Sequence, residues 1–196
     1  MQKILAHYEL FKMVVDVPRG IVECSVFKGS GLYTWTKLMR LFRPNNEGGI
    51  VGFDFFEADR TTEFQFQQDK DCLDEHETRW TPQDILKKNC ANWSFDKLVL
   101  VAGNVMQATK AYVIENLGVR MPLLNIEVDT YESPLACLEN LYAIACTVGL
   151  VVFDEYTVRI YGESNAVDEY FKGKNIRLRN LSWANTPSAH IIKENF

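Results

Sequence analysis

The sequence has little of what several common functional sites require. It contains only three histidines in 196 residues, and no two of its five cysteines form a C-x-x-C pair. This disfavours a zinc site or a disulfide framework, and the odd cysteine count favours reduced thiols in a cytoplasm-like compartment. The P-loop pattern G-x-x-x-x-G-K-[ST] is missing, and no Ser or Cys elbow stands beside a plausible His. A P-loop nucleotide hydrolase and a catalytic triad are therefore disfavoured as well.

Long apolar runs and a basic excess are also missing. Charges occur throughout residues 1–17, so the sequence predicts neither a signal peptide nor a membrane span. The net charge of −5, without a clustered basic face, argues against nucleic acid as a partner. We therefore expect a cytoplasmic protein with no membrane or nucleic-acid partner. Its length favours one domain over residues 1–196.

What the sequence does contain is an alternation of helical and strand patterns. Residues 3–16 place apolar side chains at helical spacing, and the predicted buried stripe is Ile4, Leu5, Tyr8, Phe11 and Val15. Short apolar strands then alternate with helices, which predicts an α/β, doubly wound, mostly parallel sheet with helices on both faces. The last two predicted strands, residues 175–183 and 188–195, are joined by a short turn. They predict an antiparallel C-terminal hairpin at or near the sheet edge.

Residues 55–97 interrupt this alternation with a polar, irregular segment. Only residues 81–89 have a helical pattern, with Thr81 as the expected N-cap and Pro82 at the first helical position. A segment of this length with little periodicity is typical of a surface insertion or an active-site lid.

Polar or acidic residues follow each of five predicted strands. Since ligands of open α/β sheets bind outside the carboxyl ends of the strands, this pattern predicts a binding site there. A scaffold alone has no need of it. The segments that follow the five strands are residues 23–31, Asp54–Phe55, Gly103–Asn104, residues 127–131 and residues 154–156.

Each of these segments has a simpler interpretation when taken alone. The glycines of residues 23–31 suit a tight turn as well as a cofactor loop. Asp54, about 25 residues after Gly29, suits a ribose hydroxyl but also a helix cap. Asn104 could bind a base edge or simply form a turn. The carboxylates of Asp129, Asp154 and Glu155 would either converge on Mg²⁺, Mn²⁺ or Ca²⁺ or diverge into solvent.

Several segments together resemble one known family. They are "YELFKMVVDVPRGIVECSVFKGSGLYTW", "IVGFDFFEA", "LLNIEVDTYESPLACLENLY", "GLVVFDEY", "GESNAVDEYF" and "PSAHIIK". In this order they are similar to the macrocin O-methyltransferases, class I S-adenosylmethionine-dependent enzymes that methylate sugar hydroxyls. The resemblance runs from about Tyr8 to Lys193 and is weakest over residues 58–95. It implies a Rossmann-like sheet of seven strands, the last of them antiparallel.

The resemblance also implies roles for individual residues. The loop from Glu23 to Gly29 would hold the amino-acid part of the cofactor, Asp54 would bind its ribose, and Asn104 would lie near the adenine. Asp129 would be the general base and, with Asp154 and Glu155, would hold Mg²⁺ or Mn²⁺. The full set expected to contact S-adenosylmethionine is Glu23, Cys24, Ser25, Phe27, Gly29, Ser30, Asp54, Phe55, Asn104 and Glu127.

Two departures from the family pattern bear on these roles. Ser25 replaces the usual glycine of the loop, and Glu155 replaces an aspartate. We expect Ser25 in an extended conformation of negative φ, since a positive φ would strain a serine. Glu155 keeps its charge but carries it one methylene further from the backbone.

The expected acceptor is a sugar hydroxyl on a nucleotide sugar, a glycoside or a glycan, with segment 55–97 closing over it. A metal-dependent catechol-type O-methyltransferase and an inactive cofactor-binding homologue remain alternatives. The sequence leaves open whether the chain is a domain of a larger glycan-processing protein or forms a homo-oligomer.

Overall fold

The structure is a computed structural model that describes residues 1–45, 48–56, 65–75 and 81–194. For residues 72–75 it describes the backbone alone. About a third of the predicted lid over residues 55–97 lies outside the described residues.

A six-stranded sheet forms the centre of the fold. Its strands are β1 (Ile21–Cys24), β2 (Ile50–Asp54), β3 (Leu98–Ala102), β4 (Met121–Ile126), β5 (Ala145–Phe153) and β6 (Ala189–Ile192). Their order is β3-β2-β1-β4-β5-β6. The first five run parallel, and β6 is antiparallel to β5. The prediction of a mostly parallel sheet with an antiparallel C-terminal strand is therefore confirmed.

The predicted strand over residues 175–183 does not form a regular strand among the described residues, so the sheet described has six strands and not seven. The segment contributes one isolated antiparallel bridge, between Arg179 and His190. Its alternation explains why: Ile176 and Leu178 pack against the core, whereas Arg177 and Arg179 are exposed. Two apolar contacts give little free energy to extend a ladder at the edge of the sheet.

Helices cover both faces of the sheet, as predicted. They are α1 (Gln2–Lys12), α2 (Ser30–Phe42), α3 (Gln67–Glu75), α4 (Gln83–Asn92), α5 (Val105–Glu115), α6 (Glu132–Leu141) and α7 (Glu163–Phe171). A short 3₁₀ helix, Tyr142–Ile144, follows α6. Helices α1, α2 and α4 pack on one face, and α5, α6 and α7 on the other. None of the helices in the described part of the chain is long and apolar enough to span a membrane.

The buried face of α1 differs from the predicted stripe. Its buried residues are Ala6, His7, Leu10 and Phe11. By contrast, Ile4 and Leu5 are exposed. The helix is thus rotated so that the face carrying Lys3, His7 and Leu10 points toward the sheet. Because Lys3, at the first turn of this face, is polar, apolar spacing in the sequence did not indicate that the face is buried.

His7 is buried against Trp35, with ring centroids 4.2 Å apart and an interplanar angle of 24°. Neither ring nitrogen has a hydrogen-bond partner among the described residues. Burial, and secondarily the charge of Lys3, lowers the pKa of His7 to about 3. The neutral imidazole is therefore the form that packs in the folded protein.

Because the folded pKa of His7 lies below its unfolded value, acid favours unfolding. The unfolded chain binds the proton first as the pH falls below about 6.5, so stability falls with it. We expect His7 to reduce the free energy of unfolding by about 2 kcal/mol between pH 7 and pH 5. The buried carboxyl groups of Glu23 and Glu163 have raised pKa values and act in the opposite direction. The effect is therefore measured as the difference in free energy of unfolding between the wild type and His7→Phe, from urea unfolding at each pH. A difference that does not change with pH would contradict the expectation.

Candidate active site

The strand order reverses between β1 and β4, which lie side by side at the centre of the sheet. At such a switch point the loops that follow the two strands diverge, and a crevice opens at their carboxyl ends. The loop after β1 and the acidic segment after β4 are the two segments that the sequence marked as functional. The fold therefore places both at the position where a ligand of an α/β sheet binds.

The loop after β1 has a left-handed backbone at three positions. Ser25 has φ +71°, Phe27 +48° and Gly29 +83°. The expectation of an extended Ser25 is therefore wrong. Its N–H donates to the carbonyl of Phe53 at 2.8 Å, which ties the loop to β2 in this conformation. The serine thus keeps a backbone shape that glycine adopts without strain.

Ser25→Gly should stabilise the protein by about 1 kcal/mol. The substitution removes about 1–2 kcal/mol of left-handed strain and costs part of that through the freer unfolded chain. Ser25→Ala keeps the strain and serves as the matched comparison. Urea denaturation of the three proteins measures the effect, and equal stability of the Gly and Ala variants would show that the position is unstrained.

The carboxylate of Asp54 fastens the same loop to the end of β2. One oxygen accepts the N–H of Phe27 at 2.6 Å and the other accepts the N–H of Phe55 at 2.7 Å. The side chain is half-buried, and Phe27 is 44% exposed. Asp54 therefore orders the loop after β1.

Two of the predicted cofactor residues lie beneath the loop. Glu23 is 1% exposed, and its carboxylate lies against Gly31, where any Cβ would collide with it. Cys24 is buried in the opposite core, where a hydrogen bond with Cys137, together with burial, raises the pKa of its thiol. Only the backbone of Cys24 faces the crevice side, and its carbonyl accepts the N–H of Glu127 at 3.1 Å.

The remaining residues expected to contact the cofactor have different structural roles in the fold. Asn104 caps α5, since its side chain accepts the N–H of Met106 at 2.9 Å. Gly29 begins α2, and a Cβ there would lie 2.6 Å from Leu86. Phe55 is half-buried, and Ser30 is exposed at the first turn of α2. The cap on α5 is a role that the sequence did not predict for Asn104, for which it left open a base contact or a turn.

The acids after β4 and β5 are joined by Lys3, which the sequence did not indicate as a site residue. The ammonium of Lys3, from α1, pairs with the carboxylate of Glu127 and lies 3.0 Å from Oδ2 of Asp154. Asp154 is buried and Glu127 is partly buried. Burial, followed by the charge of Asp154, raises the pKa of Glu127 to about 7. Burial opposes the charge on Lys3, but the two carboxylates raise its pKa above the ordinary value.

Asp129 and Glu155 lie in the two loops that flank this pair. The carbonyl of Asp129 accepts the N–H of Gly162 at 3.0 Å, and the N–H of Glu155 donates to Glu163 at 2.9 Å. Glu163 is fully buried, and the charges of Asp154 and Asp129 contribute to raising its pKa after burial itself. The loops after β4 and β5 are thus packed together, as expected for neighbouring strands.

These side chains do not fit the predicted Mg²⁺ or Mn²⁺ set of Asp129, Asp154 and Glu155. Within residues 1–45, 48–56, 65–75 and 81–194, no group of three or more His, Cys, Asp or Glu side chains is arranged to hold a metal ion. Asp154 instead turns one oxygen toward Lys3. An ammonium and a divalent cation would compete for the same carboxylate oxygens.

The described parts of segment 55–97 contact both the loop after β1 and the residues after β4. Asp69 of α3 accepts the N–H groups of Tyr131 and Glu132 at 2.8 and 2.9 Å, so it caps α6 directly after the acidic segment. Thr81 donates its N–H to the carbonyl of Phe27 at 3.2 Å, so it tethers the loop after β1. Its predicted role as the N-cap of α4 is wrong, because Pro82 holds that position.

This sheet order, with an antiparallel last strand and helices on both faces, defines a methyltransferase-like fold. Residues 7–185 match the family model described as macrocin O-methyltransferase (TylF). The chain therefore belongs to the macrocin O-methyltransferase family, and it is an S-adenosylmethionine-dependent O-methyltransferase by class. The resemblance inferred from the sequence is confirmed.

Solved structures agree with this assignment. The calicheamicin methyltransferase CalS11 is 26% identical, with a TM-score of 0.80 over 96% of this chain and 77% of that one. Its apo form, described as TDP-rhamnose 3'-O-methyltransferase, has a TM-score of 0.75 over the same shares. The O-methyltransferase NovP is 16% identical, with a TM-score of 0.81 over 99% of this chain and 80% of that one, and shows the fold alone. Comparison with curated protein sequences gives no match.

Proposed function

We propose that this protein transfers the methyl group of S-adenosylmethionine to a hydroxyl of a sugar, with a nucleotide-linked deoxyhexose as the first acceptor to test. The observation that carries the proposal is the likeness to CalS11 over 96% of the chain, because that protein is described as a TDP-rhamnose methyltransferase. Glycosides and glycans are the other acceptors that the sequence predicted.

The cofactor's amino-acid part would lie against the loop from Ser25 to Ser30, and its ribose against the carboxylate of Asp54. What supports this is that the carboxylate accepts the Phe27 N–H and so shapes the loop at the end of β2. Loops whose donors are fixed before binding lose less freedom when a ligand arrives. Asn104 would contribute through the position of α5, because its side-chain oxygen caps that helix.

Methyl transfer asks the protein to hold the sulfonium methyl in line with the acceptor oxygen, about 3 Å away. It also asks for a base, since a protonated sugar hydroxyl is a poor nucleophile. We propose Asp129 for that base. It is half-buried beside the crevice, and its backbone is fixed by the bond from Gly162. An ionised carboxylate there would accept the hydroxyl proton as the methyl group moves.

The insertion would border the acceptor. Gln65 and Phe66 donate their N–H groups to Glu132 at 2.6 and 3.2 Å, and the Phe66 ring stands edge-on to Tyr131 at 5.3 Å. These contacts hold the segment next to the residues after β4. Aromatic and amide side chains in that position suit the faces and hydroxyls of a sugar ring.

The test is a methyl-transfer assay with S-adenosylmethionine labelled in its methyl group. TDP-rhamnose and other nucleotide sugars, simple glycosides and catechols form the acceptor panel. Label in a nucleotide sugar or glycoside supports the proposal, whereas label in catechols alone would establish the catechol-type alternative.

An inactive cofactor-binding homologue is the second candidate, and two observations favour it. Ser25 is strained where the family has glycine, and Lys3 occupies the space between Glu127 and Asp154. Calorimetric binding of S-adenosylhomocysteine without transfer to any acceptor of the panel would establish this alternative.

Two further expectations are part of the proposal. Residues 1–196 would form one methyltransferase domain, located in the cytoplasm. Whether that domain works alone, as a homo-oligomer or within a larger glycan-processing protein is decided by light scattering and by the length of the native protein.

A further inference from the structure

Lys3 has an unusual position for a residue in the first turn of a terminal helix. Its ammonium reaches the carboxyl ends of two neighbouring parallel strands, where it pairs with Glu127 after β4 and Asp154 after β5. Asp154 is 2% exposed, and the side chain of Lys3 is 26% exposed. This is therefore a largely buried ion pair and not a surface contact between two flexible side chains.

The surroundings of the ammonium are rich in negative charge. The charges of Lys3, Glu127 and Asp154 all act on Glu23, which is fully buried at the end of β1. Glu23 and Asp154 each keep one buried carboxylate oxygen without a hydrogen-bond partner among the described residues. Two acidic side chains thus contact the ammonium, and a third, from the neighbouring strand, is influenced by the charges of all three groups. Carboxylates brought this close together repel one another, and a nearby cation relieves that repulsion in their ionised form.

We propose that Lys3 is the built-in cation of this site: its ammonium takes the Asp154 oxygen that the expected divalent metal would need, and it positions the carboxylates of Glu127 and Asp154. The site then binds no divalent cation while Lys3 is in place. The part of this proposal that concerns turnover rests on the methyltransferase function above, whereas the part that concerns cation binding does not.

Thermal unfolding with and without Mn²⁺ tests the cation-binding part. Lys3→Met keeps the apolar stem and removes the charge, which leaves Glu127 and Asp154 uncompensated. We expect the Tm of this variant to fall by about 6–12 °C. Mn²⁺ at millimolar concentration should restore at least half of that loss, and electron paramagnetic resonance should show bound Mn²⁺. The wild type and Lys3→Arg should bind none, and their Tm should be unchanged by Mn²⁺ or EDTA.

Lys12→Met is the matched control, because Lys12 lies on the same helix and pairs with Glu9 at the surface, 2.8 Å away. Its Tm should stay within about 2 °C of the wild type and should not respond to Mn²⁺. A Tm of Lys3→Met equal to that of Lys12→Met would overturn the proposal. So would Mn²⁺ binding by the wild type that is lost in Asp154→Asn. If Lys3→Met does not fold, the proposal is tested on the wild type and Lys3→Arg by the same two measurements, Mn²⁺ binding and the change of Tm with Mn²⁺.

Turnover gives the second readout. Wild-type methyl transfer should be unchanged by EDTA, and an EDTA-sensitive wild type would overturn the proposal. If no acceptor is methylated under any condition, the proposed methyltransferase function is wrong, independently of the role of Lys3. The Mn²⁺ and Tm measurements still decide whether Lys3 takes the place of a metal.

Discussion

Asp54→Ala should weaken the binding of S-adenosylhomocysteine on the order of 100-fold. The substitution removes the acceptor of two backbone N–H groups, those of Phe27 and Phe55. Hydrogen bonds to a charged group contribute about 1.5–3 kcal/mol each, and 100-fold corresponds to about 2.7 kcal/mol. The same change deletes the carboxylate proposed to bind the ribose. Loop order and ligand contact are lost together, which is why we expect a large effect.

Isothermal titration calorimetry measures this effect, with Asp16→Ala as the control. Asp16 is an exposed aspartate in the turn after α1 and should leave the affinity unchanged. Asp54→Asn separates the two contributions, because an amide can accept one N–H but turns its own N–H group toward the other. An affinity of Asp54→Ala within threefold of the wild type would place the cofactor elsewhere in the crevice.

The sequence predicted the parts of this fold that depend on local patterns. Strands that are apolar on both faces predicted a parallel sheet, and each of β1 to β5 ends at or beside one of the five polar segments that the sequence marked. The polar residue after each strand was visible for the same reason, since strand ends are easy to locate. Because parallel strands end at one edge of the sheet, these positions were also expected to lie near one another.

The failures have a common physical cause, which is that a pattern does not record contacts made far along the chain. Ser25 was expected to avoid a positive φ because serine does so on its own. In the fold its N–H is held by the carbonyl of Phe53 on another strand. Residues 175–183 alternate like a strand, but only Ile176, Leu178 and Leu181 among them pack against the core.

Lys3 was not predicted as a site residue because a lysine in a helix is usually exposed to solvent. Its spacing from His7 and Leu10 marks the buried face of α1, whereas the prediction relied on the more apolar Ile4 and Leu5, which are exposed. The predicted and observed faces share only Phe11. Only the packing of α1 against α2 shows which face is covered. The partner of Asp154 lies 151 residues away in sequence and belongs to the first helix of the chain. No local pattern contains that information.

Asp129→Asn should reduce methyl transfer by 10²–10⁴-fold while S-adenosylhomocysteine binds as in the wild type. This range is what a positioned general base contributes, and an amide cannot accept the hydroxyl proton. The backbone should be unchanged, because it is the carbonyl of Asp129 that accepts the Gly162 N–H. Rates are measured at saturating acceptor with labelled cofactor, so that kcat and not KM is compared. Asp96→Asn, at an exposed position, is the control.

The competing base is Glu127, whose pKa is raised to about 7 and which lies two residues earlier in the same segment. Its carboxylate is engaged by Lys3 in an ion pair. A base must have an oxygen available to the acceptor, and this pairing counts against Glu127. Glu127→Gln should therefore lower the rate less than Asp129→Asn does. The reverse order, with full activity in Asp129→Asn, would move the base to Glu127 and leave Asp129 as a residue of the loop between β4 and α6.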